Sequence, residues 1–474
     1  SVTSDTLVAD RRLSADRLDI KVSPQSIEIK GQAKLDGVNF GGVWQQPIGR
    51  PQEGVVASQP ILRAVIDLTG DALTEFGIVL PDGLFVGATK ADIEVALDEN
   101  GGSFTLRSDL RGAKLSIPEL GWQKGAASTG SLVVEGRLGT ADTPAIVDRF
   151  ELSGSGLRVA GQITLDKSAA LSVASFSNVE VGDWFAGAVE LVGQGVGQPA
   201  KVNVTGGRLD LRRARQAVDS GGVNGATGSA MDIALDRVIV SDSLSFTNLR
   251  GEITPRGGLN GSFRARVNGG AVVKGTLVTV ANGTAIRLRS DDAGGVAASG
   301  KLIGTAKGGA LDLILQPTPR SGVYDGTLLV TDTRILEAPI LAGLLNAISV
   351  VGLLDQMAQG GIYFSNVEAS FQLSPAGITL YSSAATGPSI GLSMDGVYRF
   401  SDRAIDMQGV ASPLYVLNGI GQVFTRRGEG LLGFNFDLSG NAPNPSVQVQ
   451  PLSIFTPGMF REIFRRPPPQ REND

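Results

Sequence analysis

Apolar and polar residues alternate along most of this chain, and a period of two is the signature of β-strands with one buried face. In Asp92-Ile93-Glu94-Val95-Ala96-Leu97-Asp98 the larger apolar side chains fall on one side and the carboxylates on the other. Ser262-Phe263-Arg264-Ala265-Arg266-Val267-Asn268 repeats the scheme with cations outside. The same reading fits 201–205, 232–236, 286–289, 311–315, 367–373, 434–438 and 447–449.

Between such runs lie Asp36-Gly37, Asp82-Gly83, Asn260-Gly261, Asn268-Gly269, Asn282-Gly283, Asp325-Gly326 and Asp395-Gly396, dipeptides that accept the positive φ of tight hairpins. Adjacent strands should therefore be mostly antiparallel. Glycine makes up 64 of 474 residues while 42% are apolar, so the chain is no disordered linker and the excess glycine is expected in turns. Few aromatics, no Pro/Ser-rich linker and no repeat of fixed length argue against a row of compact sandwiches.

The expected fold class is mainly β: an elongated, curved antiparallel sheet forming an apolar trough, with a few short helices near the C-terminus. About 25 strands stacked ~4.8 Å apart would make a sheet on the order of 120 Å long. Helical spacing of Leu341, Leu344, Leu345 and Ile348 marks a helix over 338–359, stopped by Gly360-Gly361, with shorter ones over 413–424 and 458–464. Residues 1–331 read as a repetitive β-groove region and 332–464 as a C-terminal region with short helices. Pro467-Pro468-Pro469 breaks regular structure, leaving 465–474 as a disordered tail.

Composition removes several function classes. Only 19% of residues are charged and the net charge is -5, so nucleic acid is not an expected partner. Without cysteine there is neither a disulfide framework nor thiolate chemistry. Without histidine, Ser-His-Asp and Cys-His catalysis and histidine-ligated metals disappear as well. A pair of carboxylates could serve a glycosidase, but Asp and Glu stand here chiefly as the polar alternates of strands. No catalytic residue, metal ligand or cofactor is assigned, and the chain is expected not to be an enzyme. The glycine-rich stretch 220–225 lacks the Lys-Ser/Thr ending of a phosphate loop. Arg212-Arg213-Ala214-Arg215 is read as a solvated loop ahead of a head-group contact.

The stretch 335–354 is interrupted by Glu337, Pro339, Asn346 and Ser349, which makes it a poor membrane span. The chain opens at Ser1 without an initiator methionine or an apolar leader and is expected to be a fragment whose signal or anchor lies elsewhere.

One resemblance is carried by the order of segments in the last third. Ala338-Pro339-Ile340-Leu341, Leu344-Leu345-Asn346-Ala347, Gly360-Gly361-Ile362-Tyr363-Phe364 and Gly387-Pro388-Ser389-Ile390-Gly391-Leu392 come first. Pro413-Leu414-Tyr415, Phe436-Asp437-Leu438-Ser439-Gly440 and Asn444-Pro445-Ser446-Val447 follow, and Val449-Gln450-Pro451-Leu452-Ser453-Ile454 ends the series. This order resembles the C-terminal region of the AsmA-like bacterial envelope protein family (the YhdP and TamB type), over roughly 332–464. The resemblance implies a periplasmic protein held in the inner membrane by an N-terminal helix lying outside this chain. It also implies bridge-like phospholipid transport between inner and outer membranes, supporting outer-membrane lipid homeostasis. Its implied partners are phospholipids, both membranes and envelope proteins at either end.

A sheet with one apolar face must cover it with helices, a second sheet or a ligand. Curled into a trough, such a face offers acyl chains about 0.8 kcal/mol per buried CH₂. The expected lining residues are Ile93, Val95, Leu97, Phe104, Leu106, Ile233, Leu235, Phe263, Val267, Ile286, Leu288, Leu311 and Leu313. The late helix is expected to cap the end of the trough, and Phe460, Ile463 and Phe464 beside Arg461, Arg465 and Arg466 suggest a small interfacial anchor. The alternative reading is a structural or adhesive β-solenoid without lipid transport; a carbohydrate-active enzyme comes third.

Overall fold

Among the described residues the alternating segments form 29 strands with few helices between them. The computed structural model describes residues 2–471 except 9–10, 49–58, 76–77, 79, 82, 99–100, 118–119, 141–142, 169, 196–197, 215–229, 301–304, 338–341, 346–359, 414–426, 431, 443 and 457–464. Contacts divide the chain into two units, Ser1–Ile239 and Val240–Asp474. The sequence boundary at 331/332 falls inside the strand Tyr324–Glu337. Each unit is a curved, open sheet.

In the first unit each strand from Val2–Val8 to Ser103–Ser108 pairs antiparallel with its chain neighbour. A hairpin, Ala113–Ile117 with Trp122–Lys124, then leaves the row and pairs with the start of Phe85–Ala96. The chain re-enters at Ser131–Arg137 beside Ser103–Ser108 and meanders on to Lys201–Asp210. One pairing breaks the rule, since Met231–Ile239 lies parallel to Lys201–Asp210.

The second unit is again a meander, from Ser245–Pro255 to Asn444–Gln450. An insertion in it is the helix Ala293–Ser299, capped by the Asp292 side chain, with the short strand Thr305–Lys307 after it. This helix and Gly70–Glu75 sit well before the C-terminal third, where alternation gave no sign of them. Of the expected helix over 338–359, only 342–345 are described, and they are helical, as is Gly360 just beyond it. The expected helix over 458–464 lies outside the described residues, as do 414–424 of the one over 413–424.

Turn chemistry accounts for part of the glycine. Asp36-Gly37 and Asn268-Gly269 form tight turns with φ of 49° and 89°, and of 46° and 83°. Asn282 belongs to the turn before the strand Gly283–Ser290, and Asp82 lies outside the described residues. Asn260-Gly261, Asp325-Gly326 and Asp395-Gly396 lie inside strands instead. The excess glycine is therefore not confined to turns. Gly161, Gly275, Gly326 and Gly409 stand in strands where the rings of Phe176, Phe263, Phe371 and Phe436 occupy the space a β-carbon would take. An aromatic ring laid over a neighbouring glycine shields that backbone and fills the missing side chain.

Register slips by a residue at several pairings, among them Val147/Phe150, Phe176/Val179 and Thr247/Arg250. Bulges of this kind bend a strand and increase its twist. They also change which residues share a face.

Candidate functional site

Cross-strand register assigns every paired side chain to one of two faces, because residues directly opposite point the same way. In the first unit Ile29, Trp44 and Leu62 follow one another on one face. Val95 and Phe104 continue it beyond Leu62. Further along, Val134, Phe150, Gly161, Phe176, Val189, Val204 and Ile233 do the same, and no charged side chain enters this series. The opposite face carries cross-strand ion pairs: Arg63–Glu94, Arg107–Glu135, Arg137–Asp148, Arg158–Glu180 and Lys201–Asp232.

The second unit repeats the division. Phe263, Gly275, Leu288, Leu313, Leu328 and Ala369 share a face, while Arg287 and Asp312 pair on the other. Hydrogen bonds from the partner guanidinium hold Glu151, Glu180 and Asp312 below the usual carboxylate range. Carboxylates held as anions are poor proton donors.

Exposure distinguishes the faces further. Large apolar side chains in the middle of the apolar face are half-buried, although among the described residues of each unit most of that face has no second layer over it. Two depressions of about 500 Å3 and 760 Å3 are lined by Asp148, Glu151 and Gln162 together with Phe150, Phe176 and Val189, and by Lys30, Arg63 and Asp92 together with Phe40 and Ile93. They are shallow and crossed by paired charges.

The strand ends receive different treatment. In the first unit Leu110, Leu115 and Trp122 from the hairpin and its approach pack against Leu157, Val179 and Val181. Trp122 Nε1 donates to the Ser155 carbonyl at 3.0 Å, tying the hairpin to the turn beneath it. Lys124 is fully buried there, its ammonium donating to the carbonyls of Leu110, Ala113 and Gly125. Burial pulls its pKa down, opposed by nearby Asp109. In the second unit Leu344 and Leu345 pack against Ile362, Phe364, Ile390 and Phe436, so the described part of the late helix covers apolar strand ends, as capping requires.

Twelve of the thirteen expected lining residues lie in strands and take part in the alternation, in two separate sets, while Leu97 falls just past the end of Phe85–Ala96. Ile93, Val95, Leu97, Phe104, Leu106 and Ile233 are half-buried in the first unit, and Phe263, Ile286, Leu288, Leu311 and Leu313 in the second. Leu235 and Val267 are only 4% and 3% exposed, which withdraws them from any open surface. Phe150, Phe176, Val189 and Trp44 belong to the same face and escaped the sequence reading.

Over its described part, Arg212 to Ala214, the basic run is not a solvated loop, and Arg215 lies outside the described residues. Residues 211–214 form a helical turn, Arg212 hydrogen-bonds Asp210 through both Nε and Nη2, and Arg213 pairs with Asp183. The expected disordered tail is docked over its described part, 465–471. Arg465 is buried between Asp395 and Glu429 at 2.6 Å from each, and Arg466 reaches Asp406 and Asp437. These two cations are thus engaged by protein carboxylates, while Phe460, Ile463 and Phe464 lie outside the described residues.

Among the described residues no helix is long and apolar enough to cross a membrane. No protein-family model matches the chain, and no curated protein or solved structure does either.

Proposed function

We propose that this protein carries lipid acyl chains along its apolar sheet face, moving phospholipid between the inner and outer membranes of a bacterial envelope. The observation that supports this most is the charge-free series of half-buried apolar residues across successive strands of each unit, its glycines covered by neighbouring Phe rings, backed by a face of paired charges. Such a face leaves apolar area in water unless something covers it, and an acyl chain recovers about 0.8 kcal/mol for each CH₂ it buries there. The charge-free series offers no polar group to pin a ligand at one position, which favours sliding over fixed binding. The resemblance of the last third to AsmA-like envelope proteins supports the same reading and gives it a compartment. The periplasm is the proposed location, with an anchor helix outside this chain.

The direct test is photo-crosslinking from Ile93, half-buried on the apolar face, and from Glu94, exposed on the other, followed by mass spectrometry of bound lipid. Phospholipid attached at Ile93 and not at Glu94 is the expected result. Absence of lipid from both positions would sink the proposal and favour a structural or adhesive β-protein.

A further inference from the structure

Among the described residues of the first unit, every helix and the extra hairpin interrupt connections at the same end of the strands. The helix Gly70–Glu75 follows Ile61–Thr69, the hairpin follows Ser103–Ser108, and the helical turn 211–214 follows Lys201–Asp210. These three strands all run in one direction, because an even number of antiparallel steps separates them. The connections at the other end are 23–25, 48–60, 97–102, 138–145, 166–170 and 193–200, and none of their described residues is helical.

The second unit obeys the same rule. The helix Ala293–Ser299 and the turn 342–345 follow Gly283–Ser290 and Tyr324–Glu337, which run alike, and short turns at 256–258, 281–282, 318–323, 374–376 and 400–403 serve the opposite end.

The two ends differ in burial as well as in connection. At the insert-bearing end the apolar face is sealed: Leu157 and Val181 are 1% and 2% exposed under the hairpin, and Ile362 and Ile390 are fully buried. At the opposite end of the first unit Ile20 and Val22 are 61% and 70% exposed, whereas in the second unit Leu259 is exposed there but Ile253, Leu277 and Ile405 are buried. Among the described residues, the apolar face of the first unit therefore has one closed side and one side more exposed to water.

We infer that, in the first unit, a bound lipid lies across the strands with its head group at the end opposite the inserts and its acyl chains running toward the sealed end. This rests on the lipid-carrying reading above and adds an orientation to it. A phosphate pushed against the sealed end would lose hydration with only apolar side chains around it, whereas at the open end it stays in water. Charged side chains near that end in the first unit are of both signs, Lys21, Asp98, Asp166 and Lys167, so the ligand class is phospholipid of either head-group charge.

The experiment uses the full chain and phosphatidylcholine vesicles doped with one of two photoreactive analogues, carrying the diazirine in the head group or at the end of an acyl chain. Adducts are mapped by peptide mass spectrometry, and the head-group probe is repeated in phosphatidylglycerol vesicles. In the first unit, acyl adducts are expected on the apolar strand residues. Head-group adducts are expected on 138–145 and 166–170 in excess of those on the hairpin 113–124 by about tenfold or more, in both lipids. Head-group adducts on the hairpin, or spread equally over both ends, would overturn the orientation while acyl labelling left lipid carriage intact. A head-group signal confined to phosphatidylglycerol would overturn the assigned ligand class. Absence of acyl adducts would remove the underlying reading and the orientation with it.

Discussion

The ring of Phe263 lies over Gly275, its direct partner on the neighbouring strand, and fills the space that a β-carbon at Gly275 would need. The ring thus lies along the sheet surface. The same arrangement at Phe176 over Gly161 and Phe371 over Gly326 gives each apolar face aromatic area without tall obstacles.

Gly275→Val should accordingly displace the ring and destabilise the second unit by about 1–3 kcal/mol, the usual cost of overpacking. Urea unfolding measures it. Adding Phe263→Ala should recover part of the loss, because the two sites share one space. Additive losses would mean that the ring and the glycine do not compete.

A carboxylate on the apolar face should hinder lipid carriage where one on the polar face does not. Leu288→Asp is the test and Val278→Asp, at an exposed position near Arg287, its control. Lipid recovered with the purified protein should fall by about tenfold in the first variant and stay unchanged in the second, with circular dichroism confirming that both are folded. Leu235, being buried, would report folding instead of lipid carriage.

Asp210 predicts a pH dependence. Its hydrogen bonds with Arg212 lower its pKa to about 2, against an unfolded value of about 3.9. A depressed carboxylate contributes stability that is present above the unfolded pKa and lost as pH falls through the folded one. Asp210→Asn should therefore melt below the wild type at pH 7, with the gap narrowing between about pH 4 and pH 2. Melting curves at pH 7 and pH 2.5 decide it, and a constant gap would contradict the ion pair.

Arg465→Ala should cost about 3–5 kcal/mol, since it leaves Asp395 and Glu429 buried without their guanidinium. Limited proteolysis of the variant should release the segment after 465 faster than in the wild type. A tail equally protected in both would show that Arg465 is not what holds it.

Much of the fold was legible because period two is a local property. Ile93, Val95, Phe104 and Leu106 needed nothing beyond their own strands. Phe176 and Val179 were not legible as members of one face, because an odd spacing contradicts alternation and only the bulge between them restores it. The glycines of Asp325-Gly326 and Asp395-Gly396 carry the same signal as a turn, and what overrides it is long-range pairing on both edges of the strand. Nor could sequence show that Arg465 is docked, since its partners lie 70 and 36 residues away.

Pairing between chain neighbours has a consequence for how such a protein can form and change length. Successive strands can zip onto a growing edge with little loop-closure entropy at each step. An insertion or loss of two strands preserves the direction of everything that follows, and so keeps each helix at its own end. A single added strand would reverse all later strands and move every subsequent helix to the opposite margin, so growth by hairpins is the step this architecture tolerates.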